Sequence, residues 1–209
     1  MADSATDRLA RVYGARTDDE RRTAYADWAG SYERDLAGFG YLLPSVAAAM
    51  VARHAGVGDG PILDAGCGTG LVGQLLTLIG FDGLTGIDLS EDMLAEAEKK
   101  EVYEALRSMR LGDRLDFPSD SFSVVVCIGT LTPGHAGPDA IPELLRVTRP
   151  GGRIVFSLRA DDGIDPDYGG VIEQLQFDGE WRHVDSTPAF AGMPGEAPDV
   201  LHRVHVYST

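Results

Sequence analysis

The chain has 209 residues, 44% hydrophobic and 24% charged, as expected of one globular domain with a real core, and its formal net charge is −15. That acidity argues against nucleic acid as a partner, because phosphate contacts require a basic face and the lysines are Lys99 and Lys100 alone. No apolar run approaches the roughly 20 residues of a membrane helix. The N-terminal stretch MADSATDRLARVYG has no hydrophobic signal core, and the two cysteines, Cys67 and Cys127, form neither a disulfide framework nor a zinc motif. The expectation is a cytoplasmic protein without metal, monomeric or homodimeric.

The first forty residues read as helix. In TDDERRTAYADWAGSYERDL, Tyr25, Trp28 and Tyr32 fall at i, i+3 and i+7 on one face, and Gly38 and Gly40 break the pattern. YLLPSVAAAMVARHAG reads as a second helix, with Pro44 near its start and Gly56 near its end. Strands and helices then alternate. PILDAG is a strand and LVGQLLTLIG a helix; LTGID is a strand and SEDMLAEAEKK a helix opened by Ser90. SMRLGD is a weaker strand, whereas SFSVVVCIG is apolar enough to be buried on both faces. PDAIPELLRVT is a helix ended by RPGG, and RIVFSLRA is the following strand. GGVIEQLQF looks helical, and EWRHVDSTP and VLHRVHVYS are strand-like runs that suggest a C-terminal antiparallel hairpin. Between them the Gly/Pro-rich AFAGMPGEAPD is expected to be a mobile loop. The alternation gives an α/β domain with a parallel sheet covered on both faces.

Ligands of such sheets bind at the carboxyl ends of the strands, where ILDAG is followed by CGTG and a helix. A dinucleotide fingerprint wants a third glycine where this chain has Leu71, so the pattern is instead an acid followed by strictly alternating glycines. Asp88, ending LTGID, is placed to accept both hydroxyls of a ribose, or simply to precede its helix as a cap. In GTLTPGHAGPD, beyond the buried strand, His135 is the one ionisable group before Asp139. It is a candidate base or substrate ligand, the bland reading being a loop histidine beside Pro133 and Gly134.

LDAGCGTG resembles the first motif of class I S-adenosylmethionine-dependent methyltransferases, and the later landmarks follow in that family's order. The resemblance implies a doubly wound, mostly parallel seven-stranded Rossmann-like sheet with N-terminal helices and a C-terminal antiparallel hairpin. It implies S-adenosylmethionine as cofactor, with S-adenosylhomocysteine as product. Asp64 would receive the cofactor's ammonium, directly or through water. Gly66, Cys67 and Gly68 would line the methionyl and ribose portions, and Gly70 would let the helix start close by. Asp88 would hold the ribose, Leu89 and Met93 would flank the adenine, and Asp113, with Arg114, would meet the adenine amino group. Ile128 completes the set. FPSDSFSVVVC resembles the family's LPF-x-x-x-x-FD segment, except that Ser123 stands where an acid is common.

A closer resemblance is to small methyltransferases similar to the Williams–Beuren syndrome region protein. It is carried by YADWAGSYERDL, YLLP and IGTLTPGHAGPDAIPELLRVTRPGGRIVFSLR, from Tyr25 to Arg159. It favours Trp28 and Tyr32 as a lid over the methionyl end, against the commoner fate of such aromatics as core. The expected division is a lid region over residues 1–56, a cofactor-binding core over 57–160 and a C-terminal helix and hairpin over 161–209. The expected activity is O- or N-methylation of a small molecule by in-line displacement. An NAD-dependent oxidoreductase and a non-catalytic S-adenosylmethionine-binding module are the alternatives. His183 is a candidate for the pocket wall, His202 and His205 fall in no constellation, and Cys127 reads as a small buried apolar residue.

Overall fold

The computed structural model describes residues 3–132, 135–161 and 166–209. The first forty residues form three helices, α1 (Ala5–Gly14), α2 (Asp18–Ala29) and α3 (Tyr32–Phe39), rather than one. Each break has a local cause. Ser4 caps α1 in a capping box with Asp7, and the Thr17 hydroxyl accepts from Glu20 N to start α2. α2 ends at Gly30, and Gly40, at φ 70, ends α3. The aromatic stripe survives the break: Trp28 and Tyr32 meet edge to face at 4.8 Å, and Tyr25 and Tyr32 at 6.2 Å. α4 (Leu43–His54) follows, with proline in its first turn as expected.

The core alternates β1 (Ile62–Ala65), α5 (Leu71–Leu78), β2 (Leu84–Asp88), α6 (Glu91–Glu98), β3 (Ala105–Ser108), β4 (Phe122–Cys127), α7 (Ala140–Val147) and β5 (Thr148–Arg159). α8 (Pro166–Phe177), β6 (Arg182–Ser186), β7 (Phe190–Met193) and β8 (Ala197–Ser208) complete the chain. The sheet runs β3-β2-β1-β4-β5-β8-β6, with β7 paired to β8 off that path. Strands β3 to β5 pair in parallel, while β8 is antiparallel to both β5 and β6. The strand order turns back between β1 and β4, the switch point at which such sheets leave a crevice.

Three boundaries depart from the sequence reading. The sheet has eight strands, not seven, because FAGM in the supposed loop pairs with β8, Phe190 opposite His202. The expected SMRLGD strand lies earlier, at Ala105–Ser108, where the apolar alternation is half-buried and weak. β5 begins at Thr148, directly after α7, with an irregularity in its pairing to β4.

Successive strand residues point to opposite faces and supply two cores. Leu63, Val125, Ile154 and Phe156 pack under α7 and α8, while Ile62, Val124, Val126 and Val155 pack under α4 and α5. Ser123, the departure within β4, is buried with its hydroxyl donating to the Pro61 carbonyl at 3.0 Å and to that of Asp59. A polar group is thereby satisfied without an acid. Among the described residues no single helix is long and apolar enough to cross a membrane.

Candidate active site

A cavity of about 820 Å³, counting the space at its mouth, opens at the carboxyl ends of β1, β2 and β4. Its floor is the glycine loop. Gly66, Gly68 and Gly70 adopt φ of 77, 54 and 86, so alternate positions lie in the left-handed region that disfavours a side chain. At Gly66 space adds to conformation, since a Cβ there would come within 2.8 Å of Thr130 Cγ2.

Asp88 fastens this loop. Its Oδ2 accepts from Gly68 N and its Oδ1 from Ser90 N, both at 2.9 Å, and each oxygen keeps lone pairs for a second partner. Burial pushes its carboxyl upward against these bonds. Leu89 and Met93 line the cavity beside it, Met109 and Leu111 enter from the loop after β3, and Ile128 follows directly on β4. Two hydroxyl acceptors beside an apolar slot, on a floor without side chains, fit a nucleoside with a slender extension.

The roof is aromatic. Tyr25 and Tyr32 come from α2 and α3, and Tyr41 sets its hydroxyl against Gly129, where a Cβ would stand 2.5 Å away. Burial raises all three phenols well above the ordinary tyrosine range, so they are hydroxyl groups at any working pH. His135 lies in the same cavity. Its Nε2 shares a hydrogen bond of 2.9 Å with the Tyr25 hydroxyl, and its Nδ1 one of 3.1 Å with Thr132 Oγ1. Its neighbours Pro133 and Gly134 lie outside the described residues.

Several sequence candidates stand elsewhere. Asp64 is buried behind the floor, where Tyr103 donates to it at 2.6 Å; burial is the main cause that lifts its carboxyl to about 7. Cys67 and Gly70 also shape the loop from behind, Gly70 lying against the Tyr103 ring. Trp28 is 1% exposed and donates to Asp35 Oδ2 at 2.8 Å, within an apolar cluster of the N-terminal helices, so it backs the roof and does not line the cavity. Asp113 and Arg114 are exposed. β3 ends early, and the loop residues that reach the cavity are Met109, Arg110 and Leu111. His183 lies on the edge strand β6, exposed and bonded to Ser186, away from the cavity. His205 stacks on Phe156, and burial lowers its pKa to about 4. His202 is buried beside Gly192, and burial lowers its pKa too.

The sequence reading also passed over groups that the fold brings in. Asp18, Arg21 and Arg22 of α2 and Arg110 line the cavity. On α2 they read as an acidic first turn followed by surface arginines, and nothing local marks the face that turns inward. Tyr25 was marked as a member of the aromatic stripe, whereas Tyr41 was visible only within YLLP.

The methyltransferase domain family matches residues 63–156. Methyltransferase-like protein 27 of Homo sapiens is 32% identical over 173 residues, 78% of this chain and 69% of that protein. Malonyl-[acyl-carrier protein] O-methyltransferase of Pectobacterium atrosepticum is 35% identical over 66% of this chain, which spans about half, 49%, of that relative. Among solved structures, a TehB-like SAM-dependent methyltransferase from Corynebacterium glutamicum superposes with a TM-score of 0.63 at 22% identity. It covers 90% of this chain and 99% of its own, a likeness of fold.

Proposed function

The chain belongs to the methyltransferase domain family, and from that premise we propose that it moves a methyl group from S-adenosylmethionine to an oxygen or nitrogen of a small-molecule acceptor. The observation that carries this reading is the bare glycine floor with Asp88 clasped to it through Gly68 N. When bound, S-adenosylmethionine supplies a methyl group on a cationic sulfur, open to in-line attack.

The chain's own part is to bind, orient and exclude water. Asp88 holds the ribose hydroxyls with the lone pairs its backbone bonds leave over. Leu89, Met93 and Ile128 pack on the nucleoside, and the backbone of Gly66 and Gly68 lies against the extension. Asp64, Cys67 and Gly70 keep the loop in shape from beneath. Tyr25, Tyr32 and Tyr41 close the roof over the acceptor with hydroxyl donors. His135 accepts the acceptor's proton where one must leave, its ring held by Thr132 at Nδ1 and in contact with Tyr25 at Nε2. Residues 1–56 act as the lid, 57–160 as the cofactor-binding core and 161–209 as the flank. The likeness to methyltransferase-like protein 27 supports placing the chain near the Williams–Beuren region group. Relatives named as O-methyltransferases favour oxygen.

Calorimetric titration with S-adenosylhomocysteine tests the reading: one equivalent binds, and S-adenosylmethionine competes. Absence of binding, or binding of NAD in its place, overturns it.

A further inference from the structure

Charge holds the mouth of the cavity. Most of the lining is buried or half-buried, whereas Arg22 and Arg110 are exposed and Asp18 keeps 39% of its side chain in solvent, so these three form the rim. Across it, Arg110 Nε donates to Asp18 Oδ2 at 2.7 Å. The pair joins two parts of the molecule. Asp18 opens α2, a helix of the roof whose Ala24 and Trp28 pack in the separate N-terminal cluster. Arg110 stands between Met109 and Leu111, in the loop that walls the apolar slot. Both ends register the bond. It is the first cause that holds the Asp18 carboxyl below its ordinary range, and the first that raises the Arg110 guanidinium.

Each end also has a partner on its own side of the rim. Asp18 Oδ1 accepts from Arg21 Nη1 at 2.7 Å, and Arg21 is buried, 8% exposed, on the same helix. Arg110 Nη1 donates to Asp113 Oδ1 at 3.4 Å, and the charge of Asp139 acts on it as well. Parting the pair therefore strands neither charge: the carboxylate stays with Arg21, and the guanidinium stays with Asp113 and Asp139. A buried structural ion pair behaves otherwise, since its rupture leaves a charge uncompensated. A half-exposed pair is also weak and screened by salt, so it parts readily.

We propose that the Asp18–Arg110 pair gates the cavity: ligand passes while the pair is apart, and the pair closes the rim behind it against water. The inference rests on the reading of the cavity as an S-adenosyl site, and it adds a rate to that reading, not a contact. The bond runs from protein to protein, so it forms with or without ligand. The fraction of time it is closed slows entry and exit alike, and affinity stays where the floor and the slot set it.

Surface plasmon resonance on the immobilised full chain, with S-adenosylhomocysteine as the probe, reads kon, koff and Kd. In Arg110→Gln, kon and koff both rise at least threefold while Kd stays within twofold of wild type. Asp18→Asn does the same, and the double variant exchanges no faster than the faster single one, because the same bond is removed in each. Raising ionic strength speeds exchange in wild type and leaves Arg110→Gln unaffected. If Asp18→Asn does not fold, since it takes the carboxylate from buried Arg21, Arg110→Gln and the salt response carry the test. Unchanged rates in Arg110→Gln overturn the gate. So does a rise in koff alone with weakened binding, which makes Arg110 a contact of the ligand, and so does a salt response of equal size in both proteins. A wild type that does not bind S-adenosylhomocysteine overturns the S-adenosyl reading itself, and the gate with it.

Discussion

Asp88 shows how one side chain joins structure to ligand. Its carboxylate fixes the glycine loop through Gly68 N and the start of α6 through Ser90 N, and still has acceptor capacity toward the cavity. Asp88→Asn exchanges one acceptor oxygen for a donor, so S-adenosylhomocysteine affinity should fall by about 1–3 kcal/mol, measured by calorimetry. An unchanged affinity removes Asp88 from the proposed ribose site. Asp64 has a different consequence. Folding raises its pKa from 3.8 to about 7, burial being the largest cause. The folded state therefore holds a proton that the unfolded chain releases. This contribution to stability is complete below about pH 4 and is lost as pH rises through about 7. In Asp64→Asn, urea midpoints should decline less across that window than in wild type, because the amide oxygen still accepts from Tyr103 and never ionises. At this scale the sequence showed which acids border the glycine loop. It did not show which way they face: Asp64 turns to Tyr103, 39 residues on, a contact that local spacing cannot encode.

The N-terminal helices form a unit with a small core of their own, in which Val12, Ala24, Trp28, Leu36 and Phe39 pack together. Its centre is Asp35, 7% exposed, which accepts from Trp28 Nε1 at 2.8 Å, Arg8 Nε at 2.9 Å and Ser31 Oγ at 3.2 Å. Burial alone would raise its pKa, but these donors outweigh it and hold the carboxyl below the usual value. Asp35→Ala leaves the Arg8 charge and the indole donor without their carboxylate, at a cost of about 3 kcal/mol. Limited proteolysis should then cut within residues 5–39 while the sheet remains intact. Because this cluster is separate from the two cores on the sheet, amide exchange in α1–α3 should exceed that in β1 and β4. S-adenosylhomocysteine should slow it; exchange unaffected by the ligand would count against a lid. The sequence marked the Tyr25, Trp28 and Tyr32 stripe correctly as one face. Core and lid were both open to that stripe, and periodicity did not divide them. Trp28 packs inside the helical cluster, while Tyr25 on the same helix and Tyr32 beyond the break at Gly30 and Ser31 line the cavity, because spacing does not record the partner that each side chain meets.

For the molecule as a whole, a charge of −15 in 209 residues means self-repulsion in the compact state. Raising ionic strength at neutral pH should therefore raise the thermal midpoint, and a fall would show that ion pairs such as Arg8–Asp35 outweigh the repulsion. By itself the sequence determined the alternation of strands and helices from β1 to β5, the parallel sheet and the place of the glycine loop, though not the division of the N-terminal helix into three or the strand β7. Hydrophobic period, capping residues and glycines act within a few residues of one another, and so leave a local record. The tertiary structure alone decided which groups share the cavity. Tyr25 meets His135 across 110 positions of chain, and Arg110 meets Asp18 across 92. Such contacts are made by the crossing of α2 over the switch point, a product of packing between distant segments. The floor of the site was therefore legible before folding, whereas its roof, its histidine's partners and its buried arginine were not.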